Sequence, residues 1–409
     1  MIITLNIVFI ILICWWISRF SQPYGKVWYW ITLGLKVSSG LLLGVIYVIY
    51  LTSGDTLSYF QQAMEMSTLG NQSYIDYFNR LMTNEFPEYK GEYRSEFFSR
   101  ILSFFLLITG GNYWVSSVYL SIISFLGSWS LARTLALTDE KLKWVALIGF
   151  MFIPSVIFWS SGVLKDAIAN ACFFYLCTFL IRFYLKTSVS LAEHVFYAIT
   201  LIILLKLRFY LGGAILFFIG LFLVRNMINR YVSMGSLKYL IYLMVITGLI
   251  FGVSFIDYNL QFDHFPQSIY QNYQSIIASS GNVNTISFDI SPDWWGIIKN
   301  LPRSLFYGLF GPLPGQGAIS SVVYWVENLA SMVLLIVNIF LFIKHHPLTV
   351  KPTILLFSTL SFVLVMAMFL PIAAPNFGTL VRYKTAFLPF WWMLLLYYPF
   401  SLYITKKSA

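Results

Sequence analysis

Long apolar runs separated by short polar segments dominate the chain. About 20 mostly apolar residues suffice for a helix to cross a bilayer, and the pattern predicts eleven such spans. They cover 2–18, 27–52, 112–135, 144–161, 163–185, 193–206, 209–225, 239–256, 319–343, 352–373 and 385–404. A further apolar segment, 97–109, predicts an interfacial or re-entrant helix. We therefore expect an all-α polytopic membrane protein.

Composition supports this expectation. The chain has 409 residues, of which 59% are hydrophobic and 10% charged, whereas soluble domains carry about 25% charged residues. The first span has no basic flank and no small-residue cleavage site, so it is expected to be retained as a helix. The three cysteines, Cys14, Cys172 and Cys177, lie in apolar stretches and predict neither disulfides nor a zinc site.

The distribution of basic residues predicts the orientation. The net charge is +10, but the larger share of the Lys and Arg residues lies in the short loops on one side of the predicted spans. The positive-inside rule places those loops in the cytoplasm, which puts the N-terminus outside the plasma membrane and the C-terminus inside. This distribution favours membrane topology over nucleic-acid binding. The sequence thus predicts a single transmembrane domain, 1–409, whose two long outer loops, 53–111 and 257–318, carry amphipathic helices.

Several ionisable residues fall at the outer ends of the predicted spans, where they are expensive and typical of functional sites. They are Asp55, Lys165, Asp166, Arg208, Arg382 and Lys384. Neighbours on a helix point about 100° apart, so Lys165 and Asp166 are expected to contact different partners. We expect Asp166 to hold a cation, either Arg208 or Lys384, while Lys165 faces the site.

Each charge also has a structural alternative. Asp55 follows a glycine and is a reasonable helix cap. Lys165 and Asp166 are alternatively structural pairs or a helix-ending signal, and Arg208 alternatively reaches the phospholipid headgroups. The two cations before the last span are alternatively an interfacial anchor. Acidic and basic residues alternate in the first outer loop at spacings that predict a solvated helix face: Glu85, Glu88, Lys90, Glu92, Arg94, Glu96 and Arg100.

A carboxylate beside several cations at the outer surface suits a donor linked through phosphate or pyrophosphate. Cations neutralise the leaving phosphate, which is the role expected of Lys165, Arg208, Arg382 and Lys384. A carboxylate deprotonates the acceptor hydroxyl; Asp55 is the preferred base and Asp166 the second choice. Aromatic residues of the outer loops offer flat faces to sugar rings: Tyr59, Trp294 and Trp295.

Four segments, in order, carry a resemblance: "IPSVIFWSSGVLKDAIANACFFYL", "LKLRFYLGGAILF", "NLPRSLFYGLFGPLP" and "GTLVRYKTAFLPFWW". They resemble recurrent segments of bacterial surface-polysaccharide proteins, namely Wzy- and EpsG-like polymerases and GT-C-type membrane glycosyltransferases. "SGDTLSYFQQA" is similar to the first outer loop of those proteins. The resemblance implies transfer of a sugar or oligosaccharide from a polyprenyl phosphate or pyrophosphate to a glycan acceptor, with Asp55 at the position of the commonly catalytic first-loop aspartate. The chain has an additional span before that loop, which favours the polymerases.

Two other classes of function stay open. A transporter of lipid-linked oligosaccharide would place charges near the middle of the membrane, and Lys36 and Lys206 lie within predicted spans. A non-catalytic assembly subunit would use its charges for structure. The sequence predicts no metal site, leaves a divalent cation open as a cofactor, and leaves the role of His264 open.

Overall fold

The structure, a computed structural model, describes residues 1–83, 92–231, 244, 248, 252, 261–280, 284–317, 321–345 and 354–408. The regular elements of this part of the chain are helices. An isolated antiparallel bridge also pairs Thr285 with Asn376, two residues that lie outside the helices. The helices are α1 Ile2–Ser18, α2 Lys26–Val45, α3 Asp55–Gln72, α4 Tyr74–Thr83, α5 Tyr93–Thr109, α6 Tyr113–Thr138, α7 Leu142–Met151, α8 Pro154–Trp159, α9 Lys165–Tyr184, α10 Leu191–Leu207, α11 Phe209–Tyr231, α12 Phe265–Ser280, α13 Trp294–Ile298, α14 Leu301–Phe310, α15 Val322–His345, α16 Ile354–Ala373, α17 Phe377–Lys384 and α18 Leu388–Ser408. A π-helical segment, Ile46–Leu51, continues α2.

Several helices are long and apolar enough to cross a membrane, which is consistent with an all-α membrane protein. Within the described residues five qualify singly: Lys26–Leu51, Tyr113–Thr138, Lys165–Tyr184, Val322–Lys344 and Leu355–Ala373. A sixth forms if α17 and part of α18, bent by 62°, count as one broken span. The predicted span 239–256 lies outside the described residues apart from 244, 248 and 252, and the total of eleven stays a prediction.

The predicted span 144–161 is two short helices in the structure. α7 ends at Met151 and α8 begins at Pro154. Proline has no backbone N–H and suits the first turn of a helix, so the chain turns between the two helices at Phe152 and Ile153. The apolar pattern alone does not show this break.

The described residues group into two compact units. Unit 1 contains Met1–Thr178 and Ser190–Leu211, and unit 2 contains Phe179–Val189 and Gly212–Ala409. The single transmembrane domain expected from the sequence stays a prediction.

In unit 1, small residues hold α2, α6 and the turn before α9 in close contact. A Cβ on Gly40 would lie 2.9 Å from the backbone nitrogen of Gly162. Ser117 of α6 donates to the Gly40 carbonyl at 3.1 Å, and the Gly162 N–H donates to Ser121 Oγ at 3.0 Å. Small residues let helices approach closely in membranes, where side-chain hydroxyls also link them. This packing fixes the turn from which Lys165 and Asp166 emerge.

In unit 2, part of the segment 257–318 is organised around Tyr273 of α12. Its hydroxyl accepts the backbone N–H of Phe288 at 2.8 Å, and the N–H of Ile286 donates to the Pro375 carbonyl at 2.7 Å. α14 packs tightly on α16, because a Cβ on Gly308 would lie 2.0 Å from the Ala367 carbonyl oxygen. These contacts place the loop against the start of α17.

Candidate functional site

The two adjacent charges, Lys165 and Asp166, form the first turn of α9 and are both buried. They follow a turn in which Gly162 has φ +68° and the Leu164 N–H donates to the Gly162 carbonyl at 2.9 Å. Glycine adopts this left-handed backbone at no steric cost. The turn therefore delivers two charged side chains into the interior of unit 1, where each has a separate partner, as their angular separation on a helix predicts.

Asp166 is paired with Arg208, which stands between α10 and α11. The Arg208 Nε and Nη2 donate to Asp166 Oδ1 at 3.0 and 2.5 Å, and the exposed fractions of the two side chains are 2% and 5%. Arg208 is one of the two cations that the sequence offers as partner for Asp166. Burial in this pair argues against the alternative that Arg208 reaches the headgroups.

Lys165 is paired with Glu92, the residue before α5. Its Nζ lies 3.2 Å from Glu92 Oε2 and 3.3 Å from Ser95 Oγ. Lys165 is 6% exposed and Glu92 is 52% exposed, so the buried cation faces a carboxylate that water reaches. Glu92, Lys165, Asp166 and Arg208 together are named the ionic cluster below.

The electrostatics of the ionic cluster favour a charged Glu92. Burial acts to raise the pKa of the Glu92 carboxyl, but the charge and hydrogen bond of Lys165, joined by the charges of Arg94 and Arg208, outweigh burial. The pKa of Glu92 therefore lies below its ordinary value. The two cations and two carboxylates of the cluster itself balance, which lowers the cost of burying them. Arg94, which is 37% exposed and pairs with the other Glu92 oxygen at 3.3 Å, adds one positive charge beside the cluster.

α3 brings Tyr59 and Asp55 to the same neighbourhood. The Lys165 ammonium lies 5.8 Å from the centroid of the Tyr59 ring. Asp55 is the first residue of α3 and is exposed, and side chains four residues apart lie on one helix face about 6 Å from each other. Asp55 therefore stands one turn from Tyr59 on the same side of α3. The residue in the N-cap position is Gly54, so Asp55 lies just inside the helix.

Tyr59 itself is buried, with 5% exposure, and its ring packs edge-to-face on Phe98 at 5.1 Å between centroids. The described contacts of the ring are thus with the protein. The sequence predicts that Tyr59 stacks on a sugar ring. Such stacking needs an exposed ring face, and the Tyr59 ring is buried in this arrangement.

Glu92 is the member of the ionic cluster that the sequence does not single out. Its spacing from Arg94, Glu96 and Arg100 predicts a solvated helix face. Glu96 and Arg100 do form an ion pair along α5, but their side chains are only 16% and 11% exposed, so this pair departs from the prediction. Glu92 differs because it precedes the helix, in extended backbone. The signal that distinguishes Glu92 from Glu96 is its position: Glu92 stands at the N-terminal boundary of α5, whereas Glu96 lies within that helix.

The two predicted phosphate-binding cations before the last span lie in unit 2. Lys384 is buried, and its Nζ donates to the carbonyls of Gly311 at 2.9 Å and Leu309 at 3.4 Å and to Asn328 Oδ1 at 3.4 Å. An ammonium has three N–H donors, and these three oxygens provide one acceptor for each N–H. Arg382 is partly exposed, with its guanidinium carbon 5.7 Å from the Tyr383 ring.

The two predicted sugar-binding tryptophans also lie in unit 2. Trp294 donates its ring N–H to the Phe262 carbonyl at 3.1 Å and stacks on Phe265 with centroids 5.5 Å apart. Trp295 is 68% exposed. Trp295 thus offers an open face, whereas Trp294 is held by its neighbours.

Of the two lysines within predicted spans, Lys36 of α2 is buried and Lys206 is exposed in the last turn of α10. Lys36 donates to Ser160 Oγ, five residues before Lys165. Among the described residues no group of three or more His, Cys, Asp or Glu side chains is arranged to hold a metal ion.

Comparisons of the chain with protein-family models, with curated proteins and with solved structures found no match. The geometry of the ionic cluster is therefore the ground on which a function is proposed.

Proposed function

We propose that the chain is a membrane-embedded glycosyltransferase or polysaccharide polymerase. It moves a sugar or oligosaccharide from a polyprenyl phosphate or pyrophosphate to a glycan acceptor at the outer face of an eleven-span plasma-membrane protein. One observation carries the proposal: a buried lysine, Lys165, faces a solvent-accessible carboxylate, Glu92, at 3.2 Å. A lysine at a point that water reaches can form strong charge-assisted hydrogen bonds with a phosphate group.

In the proposed reaction the acceptor hydroxyl attacks the anomeric carbon of the donor. The bond from that carbon to the phosphate oxygen breaks, and the bonding electrons leave on the phosphate. The Lys165 ammonium neutralises the charge that develops on that oxygen, an effect that is strong where water is excluded. The acceptor proton passes to a carboxylate, for which Asp55 is the first choice because it is exposed and lies on the Tyr59 face of α3.

The Asp166–Arg208 pair has a different part in this proposal. Arg208 already directs two donors to Asp166, so we assign the pair to positioning the first turn of α9, which carries Lys165. Arg382 and Trp295 stay candidates for the donor and acceptor groups, since both have exposed surface in unit 2.

The test is transfer in proteoliposomes that contain the purified full chain, a polyprenyl-phosphate-linked radiolabelled sugar or the corresponding pyrophosphate-linked oligosaccharide, and an acceptor glycan. Lys165→Met and Asp55→Asn should each remove most of the product. Lys143→Met is the matched control, since the Lys143 ammonium lies 5.5 Å from the Trp144 ring and contributes no ion pair to the ionic cluster. Normal product from both site variants would refute the proposal.

A second candidate is a transporter of lipid-linked oligosaccharide, and Lys36 favours it. A buried charge in a spanning helix marks transport pathways in many membrane proteins. The same proteoliposomes test it, because translocation of the lipid-linked oligosaccharide without transfer would identify a transporter. A vesicle that shows neither activity would favour the non-catalytic assembly subunit.

A further inference from the structure

Both oxygens of the Glu92 carboxylate are bound by cations. Oε2 lies 3.2 Å from Lys165 Nζ, and Oε1 lies 3.3 Å from Arg94 Nη1. Ser95 Oγ also donates to Oε2 at 3.4 Å. The carboxylate thus occupies a small anion-binding subsite formed by Lys165, Arg94 and Ser95, with Arg208 close enough to stabilise its charge.

The partners in this subsite differ in how firmly they are held. Lys165 begins a buried helix, with its side chain 6% exposed, and Ser95 is buried in the first turn of α5. Glu92 belongs to the extended backbone before α5 and is 52% exposed. The cation and the hydroxyl are fixed parts of the fold, and the carboxylate is the part with room to leave.

Charge balance favours a ligand more highly charged than a carboxylate. Asp166 balances Arg208, so Lys165 and Arg94 together present two positive charges to the single negative charge of Glu92. A phosphate monoester carries about −1.5 to −2 charges near pH 7 and offers three acceptor oxygens. Such a group would match the two cations and the Ser95 hydroxyl better than the resident carboxylate does.

We propose that Glu92 is a built-in counter-ion that occupies a phosphate subsite in the resting protein and is displaced when an anionic phosphate group binds Lys165, Arg94 and Ser95. The identity of that group as the polyprenyl phosphate or pyrophosphate that leaves the sugar, and so ends in a phosphate monoester, rests on the proposed function, whereas the displacement itself does not. Glu92 then lowers affinity for phosphate in exchange for keeping the buried Lys165 neutralised while the site is empty.

The experiment measures equilibrium binding of inorganic pyrophosphate and of farnesyl pyrophosphate to the full chain in detergent. Removing the competing carboxylate in Glu92→Gln should tighten binding of both probes about three- to fivefold, which is the upper part of the scale set by breaking one partly exposed ion pair. Glu96→Gln is the matched control. It removes the same charge four residues further along the chain, in α5, but Glu96 pairs with Arg100, so binding should stay within about twofold of the wild type. Lys165→Met should abolish the tightening when combined with Glu92→Gln.

Equal or weaker binding by Glu92→Gln than by the wild type would overturn the proposal, and so would equal tightening by Glu96→Gln. A melting curve of each variant shows whether it is folded. If Glu92→Gln is unfolded, Glu92→Asp, whose side chain is one methylene shorter, gives the second measurement: it should bind pyrophosphate more tightly than the wild type. A chain that binds pyrophosphate as expected but transfers no sugar would sustain the displacement and refute the proposed function.

Discussion

The Arg208 guanidinium holds the buried Asp166 carboxylate through two N–H groups, at 3.0 and 2.5 Å from a single oxygen. Both side chains are almost fully removed from water. Breaking such a pair by removing one partner leaves an uncompensated buried charge, at a cost of about 3–5 kcal/mol. The pair therefore governs both the stability of unit 1 and the position of Lys165.

The first prediction is a double-mutant cycle on this pair. Arg208→Ala and Asp166→Ala should each lower the free energy of unfolding by about 3–5 kcal/mol. The double variant should lose clearly less than the sum, because it leaves no buried charge without a partner. Chemical denaturation of the protein in detergent measures all four corners. Additive losses would show that the two side chains do not depend on each other.

This result would change what the sequence suggests for Arg208. An arginine with no acidic neighbour in sequence predicts a phosphate-binding group whose loss spares the fold. Asp166 lies 42 residues before Arg208, and nothing in the local pattern gives the register that brings α9 and the α10–α11 junction together. Apolar runs predict where helices occur, and α9, α10 and α11 lie where the sequence predicts them. Which side chains pair across those helices depends on tertiary packing.

Glu92 and Lys384 also show that the sequence does not predict which charged side chains form contacts inside the protein. Glu92 fits an exposed helix pattern in sequence, yet it is the partner of a buried lysine. Lys384 is predicted to face a ligand, yet its ammonium donates to the carbonyls of Leu309, in the last turn of α14, and Gly311, just after that helix. The residue types that carry charge are evident from the sequence. Which of them meet is decided by turns such as the one at Gly162, whose left-handed backbone sets the direction of α9.

The second prediction concerns pH. The pKa of Glu92 is lower in the folded protein than its ordinary value of 4.5, so its ion pair with Lys165 stabilises the fold above about pH 4.5 and loses that contribution as pH falls through the lowered folded-state pKa. The melting temperature of the wild type should exceed that of Glu92→Gln by a constant margin from pH 7 down to about 5, and the margin should vanish at lower pH. A margin that grows on acidification would contradict the assigned ion pair.

The third prediction separates Lys384 from the ionic cluster. Lys384→Met removes the donor that faces the carbonyls of Leu309 and Gly311, and leaving buried acceptors unsatisfied costs about 1–3 kcal/mol each. The variant should melt at a lower temperature, but the protein that stays folded should bind pyrophosphate as the wild type does. Loss of pyrophosphate binding in the folded fraction would instead restore Lys384 to the phosphate-binding set.

The fourth prediction tests topology by cysteine labelling. The native Cys14, Cys172 and Cys177 are replaced by alanine, and single cysteines are introduced at the exposed Asn79 of α4 or at Lys141. The positive-inside rule predicts that a membrane-impermeant maleimide labels position 79 on intact spheroplasts and labels position 141 only after lysis. The reverse pattern would invert the proposed orientation and move the ionic cluster to the cytoplasmic side.

The last prediction decides between transfer and transport at Lys36. Its ammonium is buried in α2, and the described partner is Ser160 Oγ, whereas an ammonium has three hydrogens to donate. If Lys36 only supports the turn before α9, then Lys36→Met, which keeps the unbranched stem, removes a costly buried charge. The free energy of unfolding should then change by less than about 1.5 kcal/mol, as for volume-conserving core changes, and sugar transfer should persist. If Lys36 belongs to a transport pathway, the same variant should fold normally and lose translocation of lipid-linked oligosaccharide.

Thr200→Val is the matched control: it removes a buried hydroxyl that donates to the Phe196 carbonyl at 2.7 Å in α10, and it should leave either activity unchanged. Normal transfer with Lys36→Met, together with no measurable translocation by the wild type, would leave the transferase as the function that the ionic cluster serves.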